Sequence, residues 1–369
     1  MRVALVTEYY YPSPGGITEH VYHLGRQLVR RGHDVTVVTS HTGAPNGVPT
    51  DLKVEYVGES RPIYANGSVA RATIAPLPAR RLREVLGDGG FDVTHIQSPL
   101  VPTIPVLAAL SAKGVCIGTF HTHFNGSLLM RMFRPYLRSV IERLDGFIAV
   151  SRNAARSIKR YFDVDCRLIP NGVDVDWFAS GRRIERLDGP VPTLLFVGRL
   201  DPRNRLESLL DAFAIVRRTR RVRLVVLGDG PGRRHFEAMI PRHLRHDVTF
   251  EGTVLRRQPD YYRSADVFCF TAAIASVPTT VLEAMGAGCA IAAYRIDGIE
   301  DVLTHGENAL LAADGDPMAL AEAIEALLAD PALRARVGAA ARARAASHFA
   351  WGRLVGEIES YYEELLARA

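Results

Sequence analysis

The stretch TLLFVGRLDPRNRLESLLDAFAIVRRTRRVRLVVLGDGP, residues 193–231, decides the fold. It opens with a short apolar run at 193–198 and closes with a second one at 223–228. Between the two runs, apolar residues recur with the spacing of an amphipathic helix. Strand, helix and strand in succession make a βαβ unit, and such units build α/β domains around a parallel sheet.

The same alternation extends along most of the chain. Further strands are predicted at 2–7, 34–39, 92–97, 115–120 and 146–150, and then at 247–250, 266–271 and 290–294. Two successive βαβ series predict two doubly wound, Rossmann-like domains, each with helices on both faces of its sheet. The linker between them is predicted around 170–192, where the sequence becomes polar.

Composition excludes several classes of protein. The 369 residues are 47% apolar and 23% charged, which excludes intrinsic disorder. No apolar run reaches the roughly 18 residues of a membrane-spanning helix. The four cysteines form no CxxC pair, which argues against a structural zinc or a disulfide framework. The first residues predict a strand rather than a signal peptide, so we expect a cytoplasmic protein.

The net charge of +5 comes almost entirely from arginine. No basic stretch is interleaved with stacking aromatic residues, so we expect no nucleic-acid partner. Arginine is also suited to bidentate phosphate contacts, which directs attention to the loops at the strand ends.

Ligands of open parallel sheets bind outside the carboxyl ends of the strands. Gly15 and Gly16 follow the first strand and open a helix, whose N-terminus offers free N–H groups to an anion; a plain tight turn is the alternative. After the strand at 193–198, Arg199, Arg203 and Arg205 form a candidate diphosphate cradle. Arginines on a solvated helix start are the alternative there.

A further candidate is the segment ASVPTTVLEAMGAG, residues 275–288, a loop that runs into a helix. The helix is predicted to begin near Thr279 and Thr280, whose N–H groups would serve the same ligand. Glu283 lies one turn further on among small and apolar residues. A buried carboxylate needs hydrogen-bond partners, which favours a ligand-binding role over a place on the helix surface.

Several motifs resemble those of retaining glycosyltransferases of family 4, which have the GT-B fold. They are IPNGVD (169–174), FVGRLDPRN (196–204), LGDGP (227–231), FEGTV (250–254), SADVF (264–268) and VLEAMGAG (281–288). The N-terminal half, with NGSVAR (66–71) and GTFHTHF (118–124), resembles the phosphatidylinositol α-mannosyltransferases of actinobacteria.

The resemblance implies two Rossmann-like domains facing a central cleft, with the last helix crossing back to the first domain. Residues 1–171 with 350–369 would form the acceptor-binding domain, and residues 172–349 the nucleotide-sugar-binding domain. It implies catalytic roles for His121 and Arg199. The implied donor-binding residues, together with those that the loops themselves indicate, are Gly16, Arg199, Arg203, Arg205, Gly252, Val254, Thr279, Thr280 and Glu283.

The sequence departs from the family pattern in two places. Ala275 stands where the family has a glutamate that binds the donor sugar, and Asn204 stands where it has a lysine. Arg203 or Arg205 can replace the lysine's charge, but nothing evident replaces the glutamate. The change at Ala275 leaves three readings open: GDP-mannose as donor, a UDP-sugar with a soluble acceptor, or an inactive nucleotide-binding relative.

A retaining double displacement needs a carboxylate nucleophile beside the anomeric carbon. The nearest candidates, Glu19 and Asp201, match no catalytic motif. The resemblance implies same-face attack instead, and we expect arginine and helix N–H groups to stabilise the charge on the departing phosphate. No metal is required, because no DxD-like carboxylate pair follows a strand, and no tightly bound cofactor is expected.

The resemblance implies an anionic, phosphatidylinositol-type lipid as the acceptor. Arg80, Arg81 and Arg83 form a basic cluster on a predicted helix start, and an apolar and basic stretch follows at 128–134. Such a combination favours peripheral binding to the inner face of the plasma membrane. An ordinary core helix with solvated arginines is the alternative for 128–134.

Overall fold

The computed structural model describes residues 1–13, 15–41, 51–65, 68–73, 77–87, 89–121, 128–254, 256–273 and 277–369. The chain forms two compact units, one of Met1–Asn171 with Trp351–Ala369 and one of Gly172–Ala350. The second crossing lies one residue later than predicted. Ala350 belongs to the second unit because it forms a bridge with Val173, whose N–H donates to Phe349 O at 2.8 Å.

The elements follow one another as an α/β chain. The strands are β1 (Arg2–Val6), β2 (Asp34–His41), β3 (Lys53–Ala65), β4 (Ser68–Thr73), β5 (Val93–Gln97), β6 (Val115–Phe120), β7 (Gly146–Ala149), β8 (Arg167–Leu168), β9 (Thr193–Val197), β10 (Arg223–Leu227), β11 (Val248–Gly252), β12 (Val267–Phe270), β13 (Ala290–Tyr294) and β14 (Leu310–Ala312). The helices are α1 (Gly16–Arg30), α2 (Leu77–Leu82), α3 (Ile104–Ser111), α4 (Leu128–Ile141), α5 (Arg152–Phe162), α6 (Val175–Ala179), α7 (Leu206–Val216), α8 (Arg233–Met239), α9 (Gln258–Ser264), α10 (Thr279–Gly286), α11 (Pro317–Ala329), α12 (Pro331–Arg344) and α13 (Trp351–Leu366).

The first unit is built on an eight-stranded sheet in the order β4-β3-β2-β1-β5-β6-β7-β8, parallel except for β4. Alternate residues of β1 enter two different cores, Val3 and Leu5 on one face and Ala4 and Val6 on the other. Helices α1 and α13 cover the first face, and α2 to α5 cover the second. Burial on both faces explains why apolar residues predominate in the central strands, with Thr36, Thr94 and His95 among the buried exceptions.

The second unit is a six-stranded parallel sheet in the order β11-β10-β9-β12-β13-β14. The prediction of two Rossmann-like parallel sheets is thus confirmed, with β3, β4, β8 and β14 as additional strands. The predicted linker at 170–192 was wrong in extent. Helix α6 lies within it, and the side chains of Phe178 and Leu187 are part of this unit's core.

Each sheet contains one point at which the strand order reverses. In the first it lies between β1 and β5, and in the second between β9 and β12. At such a point the loops of neighbouring strands leave in opposite directions and open a crevice, the usual ligand site of this architecture. The loops after β1, β5, β9 and β12 are therefore those whose side chains matter most.

We expect Gly228→Ala to destabilise the second unit. Gly228, with φ +120°, follows β10, and an added Cβ would lie 2.0 Å from the carbonyl oxygen of Gly198. The backbone strain and the overlap should lower the free energy of unfolding by roughly 2–4 kcal/mol, measured by urea denaturation. Gly352→Ala is the control, because a Cβ there meets no atom within 4 Å. Equal stability of the two variants would contradict this account of the Gly198 contact.

Candidate active site

A buried carboxylate organises the arginines after β9. Asp201 is only 1% exposed and accepts from the backbone N–H of Arg203 at 3.1 Å. Its Oδ2 lies 3.0 Å from Nη2 of Arg203 and 3.8 Å from Nε of Arg199. Both arginine side chains remain about half exposed. One buried negative charge thus orients two cations whose outer N–H groups reach solvent, which leaves net positive charge at the reversal point.

The third arginine of the predicted cradle is engaged elsewhere. Arg205 has φ +47°, and its Nη1 lies 2.5 Å from Asp314 Oδ1, on the loop after β14. Its charge is therefore countered by a carboxylate that Arg199 and Arg203 do not share. Arg203 and Arg205 were the two candidates to supply the charge of the lysine that the family has at position 204. Of the two, Arg203 shares the carboxylate of Asp201 with Arg199.

Glycines let neighbouring loops meet closely at this edge of the sheet. A Cβ on Gly230 would lie 2.5 Å from the carbonyl of Leu200. Gly252, with φ +71°, ends β11, and its carbonyl accepts from Gly228 N–H at 2.8 Å. The Val254 side chain packs against the core of the unit. A ligand at Gly230, Gly252 or Val254 would therefore contact the backbone rather than a side chain.

Helix α10 begins at Thr279, as predicted, directly after Pro278. The first N–H groups of a helix lack acceptors within it and carry partial positive charge. The loop at 198–205 is tied to the end of β12, since Thr271 Oγ1 donates to Asn204 O and Ala273 N–H donates to Arg203 O, both at 2.8 Å. The arginine pair and the residues leading to α10 thus belong to adjoining loops.

Glu283, half-buried one turn into α10, has its orientation set by a tyrosine. Tyr262 Oη donates to Glu283 Oε2 at 2.7 Å. Burial, and then the charge of Glu283, raises the pKa of Tyr262 well above its ordinary value, so the hydroxyl keeps its proton and remains a donor. No local pattern in the sequence identifies Tyr262 as a site residue. Ala275 lies outside the described residues.

In the first unit, one face of two neighbouring strands changes from apolar to polar side chains toward the strand ends. Along β5 this face carries Val93, His95 and Gln97, and along β6 it carries Val115, Ile117 and Thr119, with His121 next in the same alternation. His95 lies 2.6 Å from both Thr119 Oγ1 and Tyr362 Oη. His121 Nε2 lies 2.7 Å from Gln97 Oε1. The change from apolar to polar residues with a period of two was a usable sequence signal for His95 and Gln97.

His20 of α1 completes this group. Its ring meets that of His121 edge to face, with centroids 4.9 Å apart, and its Nδ1 lies 3.1 Å from Asn171 Oδ1. Burial lowers the pKa of His20 to about 4 and that of His95 to about 3. Burial, together with these two neighbours, lowers the pKa of His121 well below its usual range. At neutral pH His121 is therefore an uncharged ring that donates one hydrogen bond and accepts one.

The carboxylates near these strand ends are already engaged. Glu19 accepts from Tyr11 Oη at 2.5 Å, near Gly16, the first residue of α1. Glu8, just after β1, was not singled out from sequence. It is buried and accepts from Thr73 Oγ1 at 2.7 Å, and burial raises its pKa. With Asp201 held by arginines, none of these three groups is presented as a nucleophile.

The basic cluster of the first unit lies at the end of α2 and just beyond it, not at a helix start as predicted. Arg80 Nε lies 3.0 Å from Glu84 Oε1, and Arg81 lies 3.5 Å from both Glu84 and Glu55. Arg83 is exposed and donates to Ala79 O at 3.2 Å. The positive charge of this cluster is thus partly compensated.

Helix α4 has two apolar faces. Its buried face packs Leu137 and Val140 into the core. Its other face exposes Met132, Phe133 and Tyr136 by 50–61%. These residues alternate with the exposed Arg131 and Arg134, so the exposed face of α4 is both apolar and basic.

Because the histidines around His121 are buried and neutral, we expect the protein to lose stability in mild acid. The unfolded chain binds protons at His20 below its ordinary pKa of 6.5, whereas the folded chain does so only below about 4, so the free energy of unfolding falls as the pH falls through this window. Between pH 7 and pH 5, the free energy of unfolding should fall by about 2 kcal/mol less in His20→Gln than in the wild type. Urea unfolding followed by Trp351 fluorescence in a Trp177→Phe background reports on the first unit. Exposed His243→Gln is the control, and identical pH dependence of His20→Gln and wild type would contradict the buried neutral state.

Within the described ranges, no helix is both long and apolar enough to cross a bilayer. Over the same residues, no cluster of three or more His, Cys, Asp or Glu side chains is arranged to hold a metal ion.

Comparison with known proteins identifies the family. Residues 14–177 match the model described as Glycosyltransferase Family 4, and residues 191–330 match that described as Glycosyl transferases group 1. A phosphatidyl-myo-inositol mannosyltransferase of Mycobacterium tuberculosis is 35% identical, over 98% of this chain and 97% of that protein. A GDP-mannose-dependent alpha-mannosyltransferase of Mycolicibacterium smegmatis is 29% identical, over 100% and 98% of the two chains.

Solved structures agree at the level of the fold. A sucrose-phosphate synthase of Thermosynechococcus elongatus covers 100% of both chains with a TM-score of 0.75 at 22% identity. An Anabaena protein, HepE, solved in complex with UDP, covers 99% of this chain and 100% of its own with a TM-score of 0.79 at 16% identity. The chain therefore belongs to glycosyltransferase family 4 and is a hexosyltransferase of the GT-B fold that uses a nucleotide-sugar donor.

Proposed function

We propose that the protein transfers mannose from GDP-mannose to a phosphatidylinositol-type lipid with retention of anomeric configuration. The observation that carries this proposal is the 35% identity, over nearly the full length of both chains, to a phosphatidyl-myo-inositol mannosyltransferase. The similarity to a GDP-mannose-dependent enzyme supports the choice of donor.

In this proposal the second unit holds the nucleotide. Arg199 and Arg203, oriented by Asp201, bind the diphosphate. The backbone at Gly252 and Val254 receives the base, and Glu283 accepts the ribose hydroxyls in the orientation that Tyr262 imposes. Arg205 contributes at longer range, because Asp314 already pairs with it.

The reaction would break the bond between the anomeric carbon and the β-phosphate oxygen while an inositol hydroxyl attacks from the same face. The hydroxyl proton passes to the departing phosphate oxygen. Charge growing on that phosphate is stabilised by the arginine pair and by the N–H groups of Thr279 and Thr280. These groups supply the electrostatic stabilisation for which many transferases use a metal, so we propose that activity survives chelation by EDTA.

In the first unit, Gly16 would let the donor phosphate approach the start of α1. His121 would bind a sugar hydroxyl. Because its ring is neutral, its contribution is directional hydrogen bonding rather than positive charge.

The test is direct. The purified protein is incubated with GDP-mannose or UDP-glucose, with and without phosphatidylinositol vesicles, and the mannosylated or glucosylated lipid formed is quantified in the presence and absence of EDTA. Mannolipid formed only from GDP-mannose supports the proposal. Transfer from UDP-glucose would assign another donor, and donor-induced thermal stabilisation without transfer would indicate an inactive relative.

We expect Arg199→Ala to lower turnover by about a hundredfold, because one donor to the leaving phosphate is lost in the transition state. The assay is initial-rate mannolipid synthesis at saturating lipid. Arg218→Ala removes an exposed arginine of the same unit outside this loop and serves as the control. A wild-type rate in Arg199→Ala would remove this residue from the mechanism.

We also propose that α4 and the nearby arginines bind the protein peripherally to an anionic membrane surface. Helices α2 and α4 belong to the helix layer on one face of the first unit's sheet. Basic residues beside Met132, Phe133 and Tyr136 match an interface in which apolar side chains enter below anionic headgroups.

Replacing these three side chains together by serine should weaken vesicle binding at least tenfold, because the buried apolar area is lost. Vesicle binding is measured by flotation at low salt with phosphatidylinositol-containing vesicles and with phosphatidylcholine vesicles. The double variant Met239→Ser, Met318→Ser removes exposed methionines of the second unit and is the control. Unchanged flotation of the triple variant would exclude α4 as the contact.

A further inference from the structure

The residue that contacts His121 through a hydrogen bond is itself almost completely enclosed. Gln97 ends β5, is 1% exposed, and has its Oε1 2.7 Å from His121 Nε2. Its own Nε2 is buried and has no hydrogen-bond partner within the part of the chain that the structure describes. A buried amide with only one satisfied end is costly, so a side chain placed there calls for an explanation beyond packing.

A neutral imidazole carries its proton on one of two nitrogens, and the hydrogen bond made by one nitrogen decides the state of the other. An oxygen can only accept, so Gln97 Oε1 requires a proton on Nε2 of His121. Nδ1 of His121 is then the unprotonated nitrogen, with a lone pair that can accept from a hydroxyl. The reversed amide would impose the opposite tautomer and make Nδ1 a donor.

We propose that Gln97 is a positioning residue that holds His121 in its Nε2–H tautomer, with Nδ1 presented as the acceptor for a hydroxyl of the transferred sugar. This inference rests on the proposed function for the identity of the hydroxyl, but not for the tautomer. Gln97 acts through His121 and is not itself a catalytic residue.

The second unpartnered atom of the group lies on His20. Because Nδ1 of His20 faces Asn171 Oδ1 at 3.1 Å, this ring is protonated at Nδ1, and its buried Nε2 has no partner over the same described residues. The ring stands at 83° to that of His121, and its other neighbour is Trp351, with centroids 5.2 Å apart. His20 thus limits the rotation of His121, while Gln97 sets its proton.

Among the described residues, the titratable groups around His121 are His20 on α1 and His95 on β5, and both are neutral for the same reason, burial. Tyr362 of α13 bonds His95 and keeps its proton, because burial raises its pKa. No nearby charge therefore competes with Gln97 in selecting the tautomer among the residues that the structure describes.

Two substitutions of Gln97 distinguish its effect on the tautomer of His121 from its effect on packing. Gln97→Glu keeps oxygen acceptors and should preserve the Nε2–H form of His121. Gln97→Met keeps the volume but removes the acceptor, and should give a mixture of tautomers. Gln27→Met, on α1 about two turns beyond His20, is the matched control. Long-range ¹H–¹⁵N spectra of ¹⁵N-histidine-labelled protein at pH 7.5, assigned with His121→Asn, report the protonated nitrogen directly and without substrate.

We expect kcat for mannolipid synthesis to fall about 10- to 100-fold in Gln97→Met, with Gln97→Glu closer to wild type. In the spectra, a wild-type His121 protonated at Nδ1, or a tautomer reversed in Gln97→Glu, overturns the proposal. An unchanged tautomer in Gln97→Met overturns it as well. If the spectra agree but no mannolipid forms with the wild type, the proposed function fails while the tautomer assignment stands.

Discussion

Burial of parallel strands on both faces is the constraint on which the rest of the structure depends. A strand covered by helices on either side favours apolar side chains along its length, because an unpaired buried polar group costs several kcal/mol. Most of the polar side chains that could act on a ligand therefore lie at the strand ends and in the loops beyond them, whereas His95, within β5, is held by Tyr362 and Thr119. In both units the residues of the candidate site collect at or next to the point where the strand order reverses, after β1, β5 and the adjacent β6 in the first and after β9 and β12 in the second.

The two units manage polarity at these ends in opposite ways. The second unit buries one carboxylate, Asp201, and uses it to aim two arginines whose outer edges stay hydrated. The first unit buries whole histidine rings, whose pKa values fall until the rings are neutral. The arginine pair of the second unit can stabilise negative charge, whereas the neutral histidines of the first unit offer directional hydrogen bonds. A diphosphate leaving group needs the former, and a sugar hydroxyl is suited to the latter.

Helix α4 shows the same principle at the surface. One face of the helix is required for the core, which leaves the exposed positions of Met132, Phe133 and Tyr136 without a structural reason to be apolar. Arginines beside them keep the face soluble and complement an anionic partner. The arginines at the end of α2, by contrast, are partly neutralised by Glu55 and Glu84.

The local sequence was enough to predict the two parallel sheets, most strand positions, the start of α10, the place of Arg199 in a strand-end loop and that of Glu283 one turn into α10. These features follow from periodicity and from turn chemistry, which are local properties of the chain. Only the tertiary structure decided that Arg203 rather than Arg205 stands with Arg199, that Tyr262 orients Glu283, and that His20, His95 and Gln97 gather around His121. The bonded pairs Tyr262–Glu283 and Gln97–His121 are separated by 21 and 24 residues along the chain. Their meeting depends on sheet order and helix packing, and no local pattern encodes which of several equivalent side chains a fold will bring together.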